Sequence, residues 1–301
     1  MIKRTLFFTT PARLSLKDNQ LVFQGSDAGE IRTMPIEDLG FVVLENHQIS
    51  VSLPLLDALS VYNVGVVICD KKHLPTSMLL NLDSHNIQTE LFSQQMNATE
   101  PLKKNLWKQT VEAKIANQAA LLAFCEKKHS ELIAYQKDVK SGDTTNREGA
   151  AARIYWKRLF GNEFERDRYG IPPNNMLNYG YIILRAAVAR ALSGSGLLPT
   201  LGIHHHNRYN SFCLADDIME PYRPYIDKLV FELHKSNPNI ADLTAEVKLT
   251  ILEVLSADVL IDKIKRPLMV AISMTTASLS RCFTGESKKI LYPALQSTGY
   301  C

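Results

Sequence analysis

The sequence predicts an α+β fold: a β-rich, sandwich-like N-terminal domain over residues 1–84, then a larger all-α domain over 85–301 that carries the chemistry. Three observations predict it. Short, partly alternating apolar runs bounded by polar turn residues fill the first eighty positions. A long Ala/Leu/Lys/Gln stretch from Leu102 to Lys127, free of Gly and Pro, then opens a helical pattern that continues downstream. Finally, 301 residues exceed what one hydrophobic core usually serves, so two domains are expected.

In order, Arg4–Phe8, Arg13–Leu16, Gln20–Phe23 and Glu30–Met34 read as short strands, mainly antiparallel. Phe41–Leu44 and Val64–Cys69 are denser apolar runs, suited to strands buried on both faces. Between them, Leu53–Tyr62 with Pro54 near its start suits a short helix, and Asp70–Pro75 a turn. Beyond residue 84, helices are expected over Leu102–Lys127, Ser130–Val139, Thr144–Phe160, Asn175–Leu192, Tyr222–His234, Thr244–Ile261 and Pro267–Phe283. Pro172-Pro173 and Gly194-Ser195-Gly196 punctuate them.

Composition excludes several classes. No apolar run approaches the roughly 18 residues of a membrane span. Leu6-Phe7-Phe8, behind Lys3 and Arg4, is too short for a signal-peptide core. The expectation is a cytoplasmic protein with no membrane partner. Five scattered cysteines (Cys69, Cys125, Cys213, Cys282, Cys301), odd in number and without a C-x-x-C pair, argue against a disulfide framework and a thiolate zinc site. No phosphate loop, G-x-G-x-x-G, G-x-S-x-G or H-E-x-x-H occurs, which sets aside P-loop ATPases and zincins. Residues 1–90 hold seven Lys/Arg against ten Asp/Glu, a balance of −3, so the net +3 leaves +6 for the rest. Within 147–190, eight basic residues face four acidic ones. That excess suits a polyanionic partner, and equally a solvated helix face.

The groups able to do chemistry concentrate downstream. A helix over Cys213–Met219 would set Asp216, Asp217 and Glu220 at neighbouring positions, where a cation would relieve their repulsion. The alternative is that Glu220 caps a helix starting at Pro221 while Asp216 and Asp217 are solvated. In His204-His205-His206, consecutive residues point different ways, so at most one or two imidazoles can bind one metal. One imidazole with carboxylates suits manganese or magnesium, whereas three would suit zinc. Upstream, Thr145 and Glu148 have capping-box spacing, which would make Glu148 structural. Against that, Gly149 and three alanines follow Glu148, leaving room for a close approach beneath its side chain.

Taken together, four ordered blocks carry a resemblance: Asn146-Arg147-Glu148-Gly149-Ala150-Ala151, Leu177-Asn178-Tyr179-Gly180-Tyr181, Gly196 through His205, and Leu214 through Pro224. They resemble the CRISPR-associated adaptation endonucleases, the integrase subunits of spacer-acquisition complexes, in the branch that accompanies a single RNA-guided effector nuclease (type II). The resemblance implies a metal triad of Glu148, His205 and Glu220 holding Mg²⁺ or Mn²⁺, with Asp217 and His204 in supporting positions. Many members carry Asp where Glu220 stands here, a departure in length and not in charge. It further implies attack of a DNA 3′-hydroxyl on a phosphodiester, with Arg147, Lys157, Arg168 and Arg223 following the backbone of double-stranded DNA, both fragment and repeat array. The implied partners are a second copy, associating through the acidic β domain to form a homodimer, and a second small CRISPR adaptation protein. Two rivals stand beside it: a mononuclear zinc hydrolase using two of the three histidines plus a carboxylate, and a non-catalytic DNA-binding scaffold of the same fold.

Overall fold

Period-2 burial organises the first part of the chain. The computed structural model describes residues 3–26, 31–81, 83–167, 170–238, 240 and 242–296. Its early elements are β1 (Arg4–Phe8), β2 (Ala12–Lys17), β3 (Gln20–Gly25), β4 (Ile31–Pro35), β5 (Leu39–Leu44), β6 (Ser50–Val51), α1 (Leu53–Val61), β7 (Gly65–Cys69) and β8 (Pro75–Leu79). They make two four-stranded sheets, ordered β1-β5-β7-β8 and β4-β3-β2-β6. Along β5 and β7, Val42 and Val66 turn into a core shared with Leu14, Leu21, Leu55 and Leu59. Phe41, Val43, Val67 and Cys69 turn the other way and merge into the helical core. The expected burial of these strands on both faces is what locks the strand-rich part to the helices.

The pairing departs from the antiparallel expectation. β1 with β5, β5 with β7, and β2 with β6 are parallel, whereas β2–β3, β3–β4 and β7–β8 are antiparallel. For β5 and β7 the cause is connectivity, because α1 lies between them and acts as a crossover that returns the chain in the same direction.

The helical part comprises α2 (Gln88–Met96), α3 (Glu100–Phe124), α4 (Ser130–Lys137), α5 (Arg147–Phe160), α6 (Asn174–Gly194), α7 (Cys213–Met219), α8 (Arg223–Ser236), α9 (Ala245–Leu252), and α10 (Leu268–Phe283) after a hairpin of β9 (Asp258–Ile261) and β10 (Ile264–Pro267). The sequence patterns give no strand at β6 or β8 and no helix at α2. They also carry one helix through Thr244–Ile261, but the helix stops at Leu252 and the last residues pair as β9. Asp262 and Lys263 both adopt positive φ (48° and 65°), the geometry of a two-residue hairpin turn, and the β-branched Val259 and Ile261 are buried.

Two long helices position the site. α6 is buried along most of its length, and Gly180 lets α8 approach so closely that a Cβ there would meet Ile226 Cγ2 at 2.5 Å. α3 buries Trp107, Val111, Lys114, Gln118, Leu121 and Leu122 on one face, a stripe recurring every three to four residues. Asn117 on the same helix donates to the carbonyls of Pro221 (2.7 Å) and Pro293 (3.0 Å) and accepts from the Leu295 amide (2.9 Å). It thereby pins the turn after Glu220 to α3.

Candidate active site

The first turn of α5 is capped in a way that leaves Glu148 available. Asn146 takes the left-handed conformation (φ 50°, ψ 49°) and its side chain accepts the Gly149 amide at 3.1 Å. The Asp143 carboxylate accepts the amides of Arg147 (2.8 Å) and Glu148 (3.0 Å). With these donors satisfied, the expected box between Thr145 and Glu148 does not form. Glu148 instead reaches α3, where its Oε1 accepts a hydrogen bond from Lys114 Nζ at 2.5 Å.

Glu220 lies just past α7, in a single 3-10 turn, Glu220–Tyr222, that Pro221 forces before α8 restarts at Arg223. Its side chain is 6% exposed. Oε1 pairs with Arg223 Nη2 at 2.9 Å, and Oε2 lies 2.5 Å from the same Lys114 Nζ that holds Glu148. That second contact is at ion-pair distance but not aligned as a hydrogen bond, so Oε2 remains a buried acceptor without a directed donor. Burial pushes the Glu220 carboxyl up, but Arg223 and Lys114 outweigh burial and hold it below the usual carboxylate range. Burial likewise works against charge on Lys114, yet Glu220 and Glu148 keep its pKa above the ordinary lysine value.

The histidine run wraps around Asp217, which is fully buried. The Asp217 carboxylate accepts the amides of Ile203 (2.7 Å), His204 (2.9 Å) and His205 (3.2 Å), and the His205 Nδ1–H at 2.5 Å. This fixes the His205 tautomer and leaves Nε2 as the unshared lone pair. The hydrogen bond to Asp217 raises the His205 pKa above its ordinary value against the opposing effect of burial. The His204 ring lies flat on Trp107 (4.1 Å between centroids, 1° between planes) and edge-on to His205. His204 therefore braces its neighbour. His206 is exposed and, with His205, Arg208 and Cys213, lines an open groove of about 380 Å³.

The three carboxylates of the 216–220 segment do not share one cation, as the spacing had suggested, nor are they solvated. Asp216 is buried against Arg185 Nε (2.6 Å) and Asn210 Nδ2 (2.7 Å), Asp217 serves the histidine loop, and Glu220 shares the Lys114 ammonium with Glu148. Among the described residues, no three His, Cys, Asp or Glu side chains stand together at metal-ligand spacing. Lys114 is the residue that holds the two glutamates together.

Among the basic residues expected to follow DNA, Arg147 and Arg223 each pair with an acid, the first of them in a partly exposed ion pair. Arg147 Nε donates to Asp138 at 2.6 Å, and its guanidinium covers the Tyr135 ring. Arg223 pairs with Glu220 and lies over Tyr181 (4.5 Å), with its side chain still 26% exposed. Lys157 and Arg153 are exposed along α5. Arg168 lies outside the described residues. Sequence reading missed Lys114, Trp107 and Arg185. The available signal was the helical stripe of α3, in which Lys114 falls on the same face as Trp107 and Val111 and so had to be buried.

The family described as "CRISPR associated protein Cas1" matches residues 6–245. The CRISPR-associated endonuclease Cas1 of Neisseria meningitidis serogroup C is 36% identical over 296 residues, covering 97% of this chain and 95% of that protein. A Cas1 endonuclease of Francisella tularensis subsp. novicida is 26% identical, covering 82% and 83%. Among solved structures, a casposase bound to integration product superposes with a TM-score of 0.78 at 20% identity, covering 95% of this chain and 92% of that one. A Cas1 protein from Thermotoga maritima gives 0.72 at 15% identity, covering 94% and 97%. At these identities the structural likeness concerns the fold. Among the described residues, no helix is long and apolar enough to cross a membrane.

Proposed function

Since the chain belongs to the Cas1 family, we propose that it is a metal-dependent DNA endonuclease and integrase that joins short foreign DNA fragments into a CRISPR repeat array. The observation that carries the reading is the convergence of Glu148 and Glu220, from separate helical segments, on one cation position, with His205 oriented by Asp217. In residue type the donor set suits Mg²⁺ or Mn²⁺: two carboxylates, one of them with a buried oxygen that lacks an aligned donor, and one imidazole whose Nδ1 is taken by Asp217. Bound there by Glu148, His205 and Glu220, the ion would polarise a phosphodiester and stabilise charge on the displaced oxygen.

The chain's own residues supply the rest. Asp217 holds His205 in the tautomer that presents Nε2, and His204 on Trp107 restricts the ring's swing. Arg223 keeps Glu220 ionised and in place from within. Lys157 and Arg153 on the exposed side of α5 offer phosphate contacts that follow double-stranded DNA without reading its sequence. The exchange of one phosphodiester for another is near-neutral in energy, consistent with a chain that has no nucleotide phosphate loop.

The strand-rich segment up to residue 84 is the proposed self-association domain of a homodimer, and the segment from 85 onward the catalytic domain. Solved neighbours include a Cas6-RT-Cas1–Cas2 complex (TM-score 0.71 at 19% identity, covering 96% of this chain and 36% of that one), which supports a second small adaptation protein as partner.

The test mixes the chain, its small partner, a duplex with 3′ overhangs and a supercoiled repeat-bearing plasmid. Mn²⁺-dependent nicked, fragment-linked plasmid is expected, and Glu148→Gln, His205→Ala and Glu220→Gln should each lower it at least ~100-fold. Joining that survives any of these substitutions at the native rate overturns the assignment.

A further inference from the structure

Lys114 is positioned unlike an ordinary structural lysine. It projects from the middle of α3, an element that supplies none of the proposed ligands, with its side chain only 10% exposed. Its ammonium touches both carboxylates at once, 2.5 Å from Glu148 Oε1 and 2.5 Å from Glu220 Oε2. Lysines are rarely buried unless paired, and here both partners are residues assigned to a metal. A divalent ion binds carboxylate oxygens at about 2.0–2.2 Å. An ion using these same two oxygens would therefore stand beside the ammonium at a separation where like charges repel strongly in a poorly solvated site.

We propose that Lys114 is a tethered counter-cation. It neutralises and gathers Glu148 and Glu220 in the metal-free protein and gives up that position when the divalent ion enters. Metal loading is then an exchange of one cation for another, and the observed affinity is the ion's intrinsic affinity reduced by competition from Lys114. This rests on Glu148 and Glu220 being the ligands. The arrangement also accounts for the misaligned contact at Glu220 Oε2: the ammonium satisfies the charge of that oxygen without occupying it as a directed donor.

Binding measured without DNA tests the idea. Mn²⁺ is titrated into the full-length chain and free Mn²⁺ is read by electron paramagnetic resonance, with thermal melts run in parallel. Lys114→Met and Lys114→Gln should each bind Mn²⁺ about tenfold more tightly than the native chain, because the competing charge is gone. Both should melt lower without metal and gain more on Mn²⁺ addition, whereas Lys114→Arg should keep the native affinity. Unchanged or weaker Mn²⁺ binding in both neutral variants, with Glu220→Gln abolishing binding, overturns the counter-cation role and leaves the ligands standing. Native Mn²⁺ binding that is indifferent to Glu148→Gln and Glu220→Gln overturns the ligand assignment and the exchange together.

Discussion

Asp217 accepts the Nδ1 proton of His205 at 2.5 Å, and its carboxylate also closes over the backbone amides of Ile203, His204 and His205. One buried carboxylate therefore sets the backbone path of the histidine loop and the tautomer of the imidazole it presents.

Replacing Asp217 by Asn keeps the shape but removes the anionic acceptor. Fragment joining should fall about 10–100-fold, the usual cost of losing an outer partner of a metal-bound histidine. Far-UV circular dichroism should stay native. The sign of the accompanying titration is fixed: Asp217 raises the His205 pKa, so removing it lowers that pKa. In the native chain the stabilisation from protonated His205 is complete below the unfolded value near 6.5 and fades as pH rises through the raised folded value. An NMR titration of the imidazole that shows no downward movement in Asp217→Asn would contradict this account.

Gly202 is the loop's point of closest approach. A Cβ there would stand 2.3 Å from the His205 carbonyl oxygen and 2.9 Å from Asp217 Oδ2. Gly202→Ala should cost about 1–3 kcal/mol through overpacking. Because the clash opens the loop at His205, joining activity should drop further than the melting temperature alone explains. Paired thermal melts and integration assays would expose a purely global effect as proportional losses.

Asp227 provides a pH dependence away from the proposed ligands. Its carboxylate is 1% exposed and accepts hydrogen bonds from Tyr155 Oη (2.6 Å) and Tyr181 Oη (2.5 Å). Burial pushes its pKa up to about 6, against the opposing pull of the two tyrosines and Arg223. A raised carboxyl pKa means the folded state holds the proton more tightly than the unfolded chain, so stability is lost as pH rises from about 4 to 6. Between pH 5 and 7.5 this group alone should remove about 1 kcal/mol. Urea unfolding of Asp227→Asn should lack that decrement, and an unchanged pH profile would count against the assignment.

The strand-rich part and α9 are joined by a buried ion pair, Lys248 Nζ to Glu45 Oε1 at 2.5 Å, with both side chains 6% exposed. Lys248 also donates to the His73 carbonyl at 3.1 Å. Lys248→Met alone should cost about 3–5 kcal/mol, because Glu45 is left buried with only His73 Nδ1, at 3.8 Å, beside it. Adding Glu45→Gln should restore much of that loss in denaturant unfolding, and additive losses would show that the pair itself is not the source.

Local signals carried much of the architecture. Alternation and turn residues located the strands of the first eighty positions other than β6 and β8, and period-3.6 patterning located α3, α6 and α10, because burial of one face is written into neighbouring residues. Parallel pairing through α1 was not legible, since strand direction depends on where the chain returns. The β9–β10 hairpin was hidden for a different reason: Asp262 and Lys263 are ordinary residues forced into positive φ by the pairing on either side. At the site, the short motifs around Glu148, His205, Asp217 and Glu220 marked each group locally. The same motifs said nothing of the acids that Arg147 and Arg223 would meet, Asp138 and Glu220, because an arginine's partner is set by where the fold brings the two together.

By itself, the sequence determined the two-part α+β organisation and the chemical types gathered in four ordered segments, since periodicity and residue chemistry are local properties. Only the tertiary structure decided which of those groups meet. It separated Asp216 from Glu220 by giving each its own arginine, and it turned His204 onto Trp107 and His205 onto Asp217. It also placed Lys114, from a helix with no site motif, between Glu148 and Glu220. The physical reason is desolvation: a charge taken out of water must find a partner in space, and that partner need not be near it in the chain.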